Sequence, residues 1–117
     1  TAGVHPYLPG RFSELGWEAH TIEDIARDHL LEIIPQYEAL IITTYLKADK
    51  ELLDKAAKLR VIGRVGSGME NVDQAYAKEK GIRCFNSPEG NANAVGEHTL
   101  GLLLNLLLVY WLLFLPI

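Results

Sequence analysis

The 117-residue sequence has a single cysteine, Cys84, so no internal disulfide is available and a reducing compartment, the cytoplasm, is the default. Arg83 and Phe85 set Cys84 in a strand-like, apolar run with nothing adjacent to lower its pKa, which reads as core filler and not as a nucleophile. Basic clusters are scarce too. Eleven Lys and Arg stand against fifteen Asp and Glu, with no basic run longer than two, which excludes the electrostatic footprint of a nucleic-acid or anionic-lipid partner. The segment TAGVHPYLPG has neither a basic start nor an apolar run, so it is not a secretory signal. His5, His20 and His29 lack metal-ligand spacing and have no local acid or nucleophile arrangement, which leaves them as surface or packing residues. Repeats, low-complexity tracts and linkers are absent as well. A chain of this length accommodates one domain and one core, so a function that needs two domains is expected to be incomplete in it.

The longest absence is of charge. Residues 99–117, TLGLLLNLLLVYWLLFLPI, run for nineteen positions without one, about the length of a bilayer span. A spanning helix calls for interfacial anchors at its ends, whereas Tyr110 and Trp111 fall in mid-run and no Lys or Arg follows. Membrane insertion is therefore not the expectation.

What is present is alternation. Residues 6–15 read as a short helix ending at Gly16, and GWEAH as a short strand. Thr21, with Asp24 three residues on, reads as the N-cap of a helix reaching Pro35 through Ile22, Ile25, Ala26, Leu30, Ile33 and Ile34. ALIITTY is continuous and β-branched enough for a buried strand. Asp49 then caps a helix through KELLDKAAK, LRVIGRV is the next strand, residues 71–80 a helix closed by Gly81, and IRCFN another strand. A final helix is expected from near Asn93. Strand and helix alternating over short connections imply an α/β fold, a flavodoxin-like, doubly wound parallel sheet with helices on both faces. Only Ala2 to Val4 precede the first turn, so the first strand is expected to be incomplete.

The most informative stretch is VIGRVGSGMENVD, residues 61–73, three glycines between an expected strand and an expected helix, where an α/β protein binds anions. Gly63, Gly66 and Gly68 give the order G-x-x-G-x-G, whereas the dinucleotide fingerprint is G-x-G-x-x-G opening directly onto its helix. Three readings stay open: a nucleotide loop with Glu89 as ribose contact, a cradle in which the Ser67 and Gly68 N–H groups converge on a small carboxylate, and a tight turn only.

Residues 59–107, LRVIGRVGSGMENVDQAYAKEKGIRCFNSPEGNANAVGEHTLGLLLNLL, resemble the second half of the substrate-binding domain of the D-isomer-specific 2-hydroxyacid dehydrogenases, with GRVGSGMENVD and NSPEGN most similar to phosphoglycerate dehydrogenase-like members. The likeness extends back to His5 through YEALIITTYLKADKELLDKAAK. The resemblance implies that Gly66, Ser67 and Gly68 hold the substrate carboxylate through their backbone. It implies that Asn91 lies on the substrate side at the start of an interdomain helix; by itself, Asn91 reads more readily as the N-cap of that helix. Glu97 and His98 match the family's Glu-His pair on that helix and are expected to be structural, Glu97 as a hydrogen-bonding partner of nearby backbone. Many relatives carry Arg at the end of the strand before KADKELLD, where this chain has Thr43 and Thr44. That leaves Arg64 as the nearest cation, either binding an acidic substrate or pairing with a surface acid.

The domain division implied is 1–98 as substrate-binding domain, 99–107 as the start of the interdomain helix, and 108–117 as an apolar tail unlike the family. The activity implied for the complete protein is hydride transfer between NAD(H) and a 2-hydroxy or 2-oxo acid. Its NAD site, polarising Arg and His–Glu pair would sit in a second domain not found in these residues, so the chain alone is expected to be inactive. A homodimer is implied for the complete protein. The alternative is a non-catalytic small-carboxylate-binding or interaction domain, membrane-tethered by residues 99–117.

Overall fold

The computed structural model describes residues 5–114. The incomplete first strand expected at Ala2 to Val4 lies outside them. Three parallel strands form the sheet: β1 (Ala39–Ile42), β2 (Val61–Arg64) and β3 (Arg83–Asn86), in the order β1-β2-β3. The registers Leu40↔Ile62↔Cys84 and Ile42↔Arg64↔Asn86 put these six side chains on one face, because the side-chain period of a strand is two. Two helices connect the strands, α3 (Lys50–Lys55) and α4 (Gln74–Glu79). Right-handed crossovers between sequentially neighbouring strands put both helices on the same face. Ile42, Ile62, Leu52 and Ala77 are accordingly fully buried in one cluster, together with Leu53 and Ile34. The parallel α/β sheet is as expected, but its two crossover helices share one side. On the other side Phe85 is more than half exposed.

Local sequence sets the helix starts. The Asp49 carboxylate accepts from the Leu52 N–H at 3.2 Å and caps α3, and Asp73 does the same for α4 through Tyr76 N–H at 3.0 Å. The second helix thus starts at Gln74 and not at Asn71, because residues 69–73 form a turn bonded to the preceding connection: Ala48 N–H donates to Asn71 O at 2.8 Å and Asp73 N–H to Ala48 O at 3.0 Å. Helix α1 (Tyr7–Glu14) ends before Gly16, as its pattern indicated.

Three expectations need correction. GWEAH forms no strand; with Leu8, Phe12, Ile22, Ile25 and Tyr37 it lines an apolar hollow of about 170 Å³ beside β1. Thr21 caps nothing: Asp24 adopts φ 50°, which stops a helix there, and α2 (Arg27–Ile33) starts after Ala26 and passes into a 3-10 turn at Ile34–Gln36. The last helix, α5 (Glu89–Phe114), starts four residues before Asn93, directly after Pro88, with Glu89 in its first turn where an acid suits the helix dipole. It is continuous through residues 98 and 107, so neither expected division coincides with a break in structure.

Candidate carboxylate-binding loop

In open parallel sheets ligands gather outside the carboxyl ends of the strands. Here that edge carries the connections after β1, β2 and β3, and hydrogen bonds tie all three together. Val65 N–H donates to Ile42 O at 2.9 Å, carrying the β1–β2 pairing one residue past the sheet. The chain then turns at Gly66, φ 140°, a conformation that only glycine adopts freely. Gly66 O accepts from Ser87 N–H at 2.9 Å and Ser67 O from Asn86 Nδ2 at 2.6 Å, so the β3–α5 connection clamps the loop from one side. Asn71 holds the other side: its Nδ2 donates to Thr43 O at 2.9 Å and Leu46 O at 2.8 Å.

These bonds use carbonyls and leave amides. Among the described residues, neither Ser67 N–H nor Gly68 N–H donates to a backbone carbonyl. The Arg64 guanidinium occupies the space that a Cβ on Gly66 would need, and the Glu70 carboxylate the space that one on Gly68 would need. The two charged groups approach at 3.8 Å, Arg64 Nη2 to Glu70 Oε1. Three buried polar atoms of this edge, Thr43 Oγ1, Arg64 Nε and Asn71 Oδ1, have no hydrogen-bond partner among the described residues. Such groups cost free energy when left alone, so they mark the carboxyl edge as a polar site.

The loop does not suit a dinucleotide. A pyrophosphate site needs the glycine turn to open onto a helix N-terminus, and here residues 69–72 and the Asp73 cap separate Gly68 from α4. The loop after β2 therefore lacks the geometry of a dinucleotide pyrophosphate site.

Of the sequence-derived site residues, the structure gathers Arg64, Gly66, Ser67 and Gly68 at one edge. Asn91 stands apart. It is the third residue of α5, exposed, with its own N–H donating to Pro88 O at 3.3 Å, so it is inside the helix and does not cap it. Glu97 and His98 are exposed on α5, and neither side chain has a hydrogen bond among the described residues, which corrects the backbone role expected for Glu97. His20 bridges Tyr37 Oη at 2.9 Å and Glu18 at 3.0 Å, and His29 lies beside Glu32. Cys84 is half-buried in β3, and burial pushes its thiol pKa up, away from the range of a nucleophile. Sequence reasoning passed over Asn86, Asn71 and Glu70. The pairing Arg64↔Asn86 would have pointed to Asn86, since it sets that side chain next to the loop.

Sequence and fold are both similar to those of known proteins. It is 35% identical over 89 residues to a D-3-phosphoglycerate dehydrogenase of Archaeoglobus fulgidus, covering 76% of this chain and 17% of that protein. It is 36% identical over 84 residues to a hydroxypyruvate reductase of Thermotoga maritima, covering 72% and 28% respectively. A crystal structure of an NAD+-bound 3-phosphoglycerate dehydrogenase from Entamoeba histolytica superposes with a TM-score of 0.71 at 26% identity, over 80% of this chain and 31% of that one. The chain thus spans less than a third of each of these proteins. The D-isomer specific 2-hydroxyacid dehydrogenase catalytic domain matches residues 2–110, and the chain belongs to that family.

Proposed function

We propose that this chain supplies the carboxylate-holding half of an NAD-dependent 2-hydroxyacid dehydrogenase of the phosphoglycerate dehydrogenase or hydroxypyruvate reductase type. The observation that carries this reading is the pair of uncommitted amides, Ser67 and Gly68 N–H, in a loop whose carbonyls are fixed by Asn86 and Ser87. Fixed N–H donors favour a carboxylate without bringing a charge that must be desolvated. Arg64 adds a largely buried cation beside them, and Asn91, the third residue of α5, is an amide donor for the far side of the acid. These groups bind and orient the acid. They transfer neither hydride nor proton, which belong to a second domain holding NAD. Residues 1–98 act as the substrate-binding domain, 99–107 as the start of the interdomain helix, and 108–117 as a tail; the complete enzyme is a cytoplasmic homodimer.

Titration of the isotope-labelled 117-residue chain with hydroxypyruvate tests this. The Ser67 and Gly68 amide resonances should shift, NADH should leave the spectrum unchanged, and the chain should not oxidise NADH with hydroxypyruvate present. Saturable NADH binding would overturn the assignment.

A second reading, a membrane-tethered carboxylate-binding domain, draws on α5. It is the one described helix long and apolar enough to cross a bilayer, and none of its described residues is buried. Partition of the chain into the detergent phase in a two-phase separation would favour the tether; recovery from the aqueous phase would exclude it.

A further inference from the structure

A hollow of about 350 Å³ lies between the residues that lead into α2 and the connection from β1 to α3, a volume in the range of small-molecule sites. None of its lining residues belongs to the glycine loop. Its wall is braced from two directions. The Arg27 guanidinium crosses from α2 to the connection, donating to Lys47 O at 2.7 Å and to the Asp49 carboxylate, which also caps α3. Leu46 O accepts from Asn71 Nδ2 at 2.8 Å. Two successive carbonyls of the connection are thereby fixed, and the hollow is formed before any ligand arrives.

The charges that line it are of two kinds. Arg27 and Asp49 neutralise each other in an ion pair. Asp24 and Lys47 line the same hollow from different elements, and among the described residues neither side chain has an ion pair or a hydrogen bond. One acid and one base are therefore left over. The rest of the lining is Ile25, Leu30 and Leu46, with Tyr45, 84% exposed, at its margin.

We propose that this hollow binds a zwitterionic α-amino acid with an aliphatic side chain: Asp24 takes the ammonium, Lys47 the carboxylate, and Ile25, Leu30 and Leu46 the side chain. A ligand of a single charge meets one opposite and one like charge there, whereas a zwitterion meets an opposite charge with each of its two groups. The apolar lining adds the burial that a small polar ion cannot use.

L-Leucine tests this against the two molecules that each lack one of its charges, 4-methylpentanoate and 3-methylbutylamine. Each is titrated into the labelled 117-residue chain at equal ionic strength and read at the Ile25, Leu46 and Lys47 amides. L-Leucine should bind about tenfold more tightly than either, the worth of one hydrogen bond to a charged group. Asp24→Asn, which keeps a residue tolerant of the φ of 50° at this position, should weaken L-leucine and 3-methylbutylamine about tenfold and leave 4-methylpentanoate no weaker. Lys47→Met, which keeps the apolar stem, should weaken L-leucine and 4-methylpentanoate about tenfold and leave 3-methylbutylamine no weaker. Equal binding of the three molecules to the wild-type chain overturns the site, as does the absence of any shift at these amides, and neither result depends on a variant that folds. A loss in both variants shared by all three molecules overturns the assigned roles of Asp24 and Lys47. L-Leucine shifts confined to the Ser67 and Gly68 amides overturn the site too, while favouring the carboxylate reading of the loop.

Discussion

The sheet with α3 and α4 and the long helix α5 solve the burial problem in opposite ways. In the first, Ile42, Leu52, Ile62 and Ala77 have no exposure at all. In the second, 26 residues, about 39 Å of helix, have no described buried residue, although every one from Leu106 to Phe114 is a large hydrophobic more than half exposed. The difference is one of pattern. β1 and β2 present alternate residues to α3 and α4, so each apolar side chain has a designated neighbour. Apolar residues ring the carboxyl half of α5 on every side, and such a helix is stable only when something covers it all round. Its polar side chains are turned inward accordingly: Thr99 Oγ1 donates to Val95 O at 2.7 Å and Asn105 Nδ2 to Gly101 O at 2.8 Å, both one turn back. The sheet supplies its own core, and α5 supplies a surface.

The sharpest way to break this comparison is to make the same truncation in both regions. Leu52→Ala removes a side chain with no exposure from the centre of the core, and the cavity left cannot be refilled by neighbours held in sheet register. A loss of about 3 kcal/mol is expected, measured by urea denaturation followed in the far ultraviolet. A loss below about 1 kcal/mol would mean that the sheet region is loosely packed and no different in kind from α5.

A smaller effect is expected at the edge of the same region. Burial works to raise the Asp49 carboxyl pKa, but hydrogen bonds from Arg27 and from the Leu52 N–H outweigh it and hold the group below the usual carboxylate range. Because the folded pKa lies below the unfolded value, the stabilisation is complete above about pH 4 and is lost as pH falls through the folded pKa. Asp49→Ala should cost about 1 kcal/mol at pH 7, the typical worth of an N-cap. The gap between wild type and variant should narrow at pH 3. A gap independent of pH would show that Asp49 acts by shape and not by charge.

The legible parts of the sequence were those whose signal is local. Asp49 before KELLDK, the β-branched runs of β1 and β2, and Gly66 in its turn all depend on neighbours within a few positions, and each forms where its pattern put it. The illegible parts depend on distant partners. The alternation in GWEAH suits a strand, but strand formation needs an adjacent edge, and among the described residues these side chains meet an apolar hollow instead. Ile22 and Ile25 keep helical spacing, yet Asp24 between them takes a left-handed conformation and both line that hollow. The start of α5 was marked by Pro88 followed by Glu89, a helix-opening pair hidden behind the stronger resemblance of PEGNANAVGEH. At the site, the glycines were visible because their order is unusual. Glu70 was not, because nothing in GSGMEN tells which way its carboxylate turns until Gly68 is seen to leave room for it.

The smallest expected effect completes the comparison. Leu104→Ala makes the same chemical change as Leu52→Ala, on a residue that is 56% exposed in the middle of α5. The transfer and cavity costs both vanish where water already stands in place of protein, and Ala has the higher intrinsic helix propensity. The unfolding free energy of the chain at low concentration should therefore change by less than about 0.5 kcal/mol. If the loss instead approaches that of Leu52→Ala, then α5 is covered in solution by a second copy of the chain. The loss should in that case grow with protein concentration, because a partner that binds only the folded state stabilises it by mass action. A loss independent of concentration would place Leu104 in an intramolecular core, and the division between a self-sufficient sheet and a helix awaiting cover would fail at its weaker side.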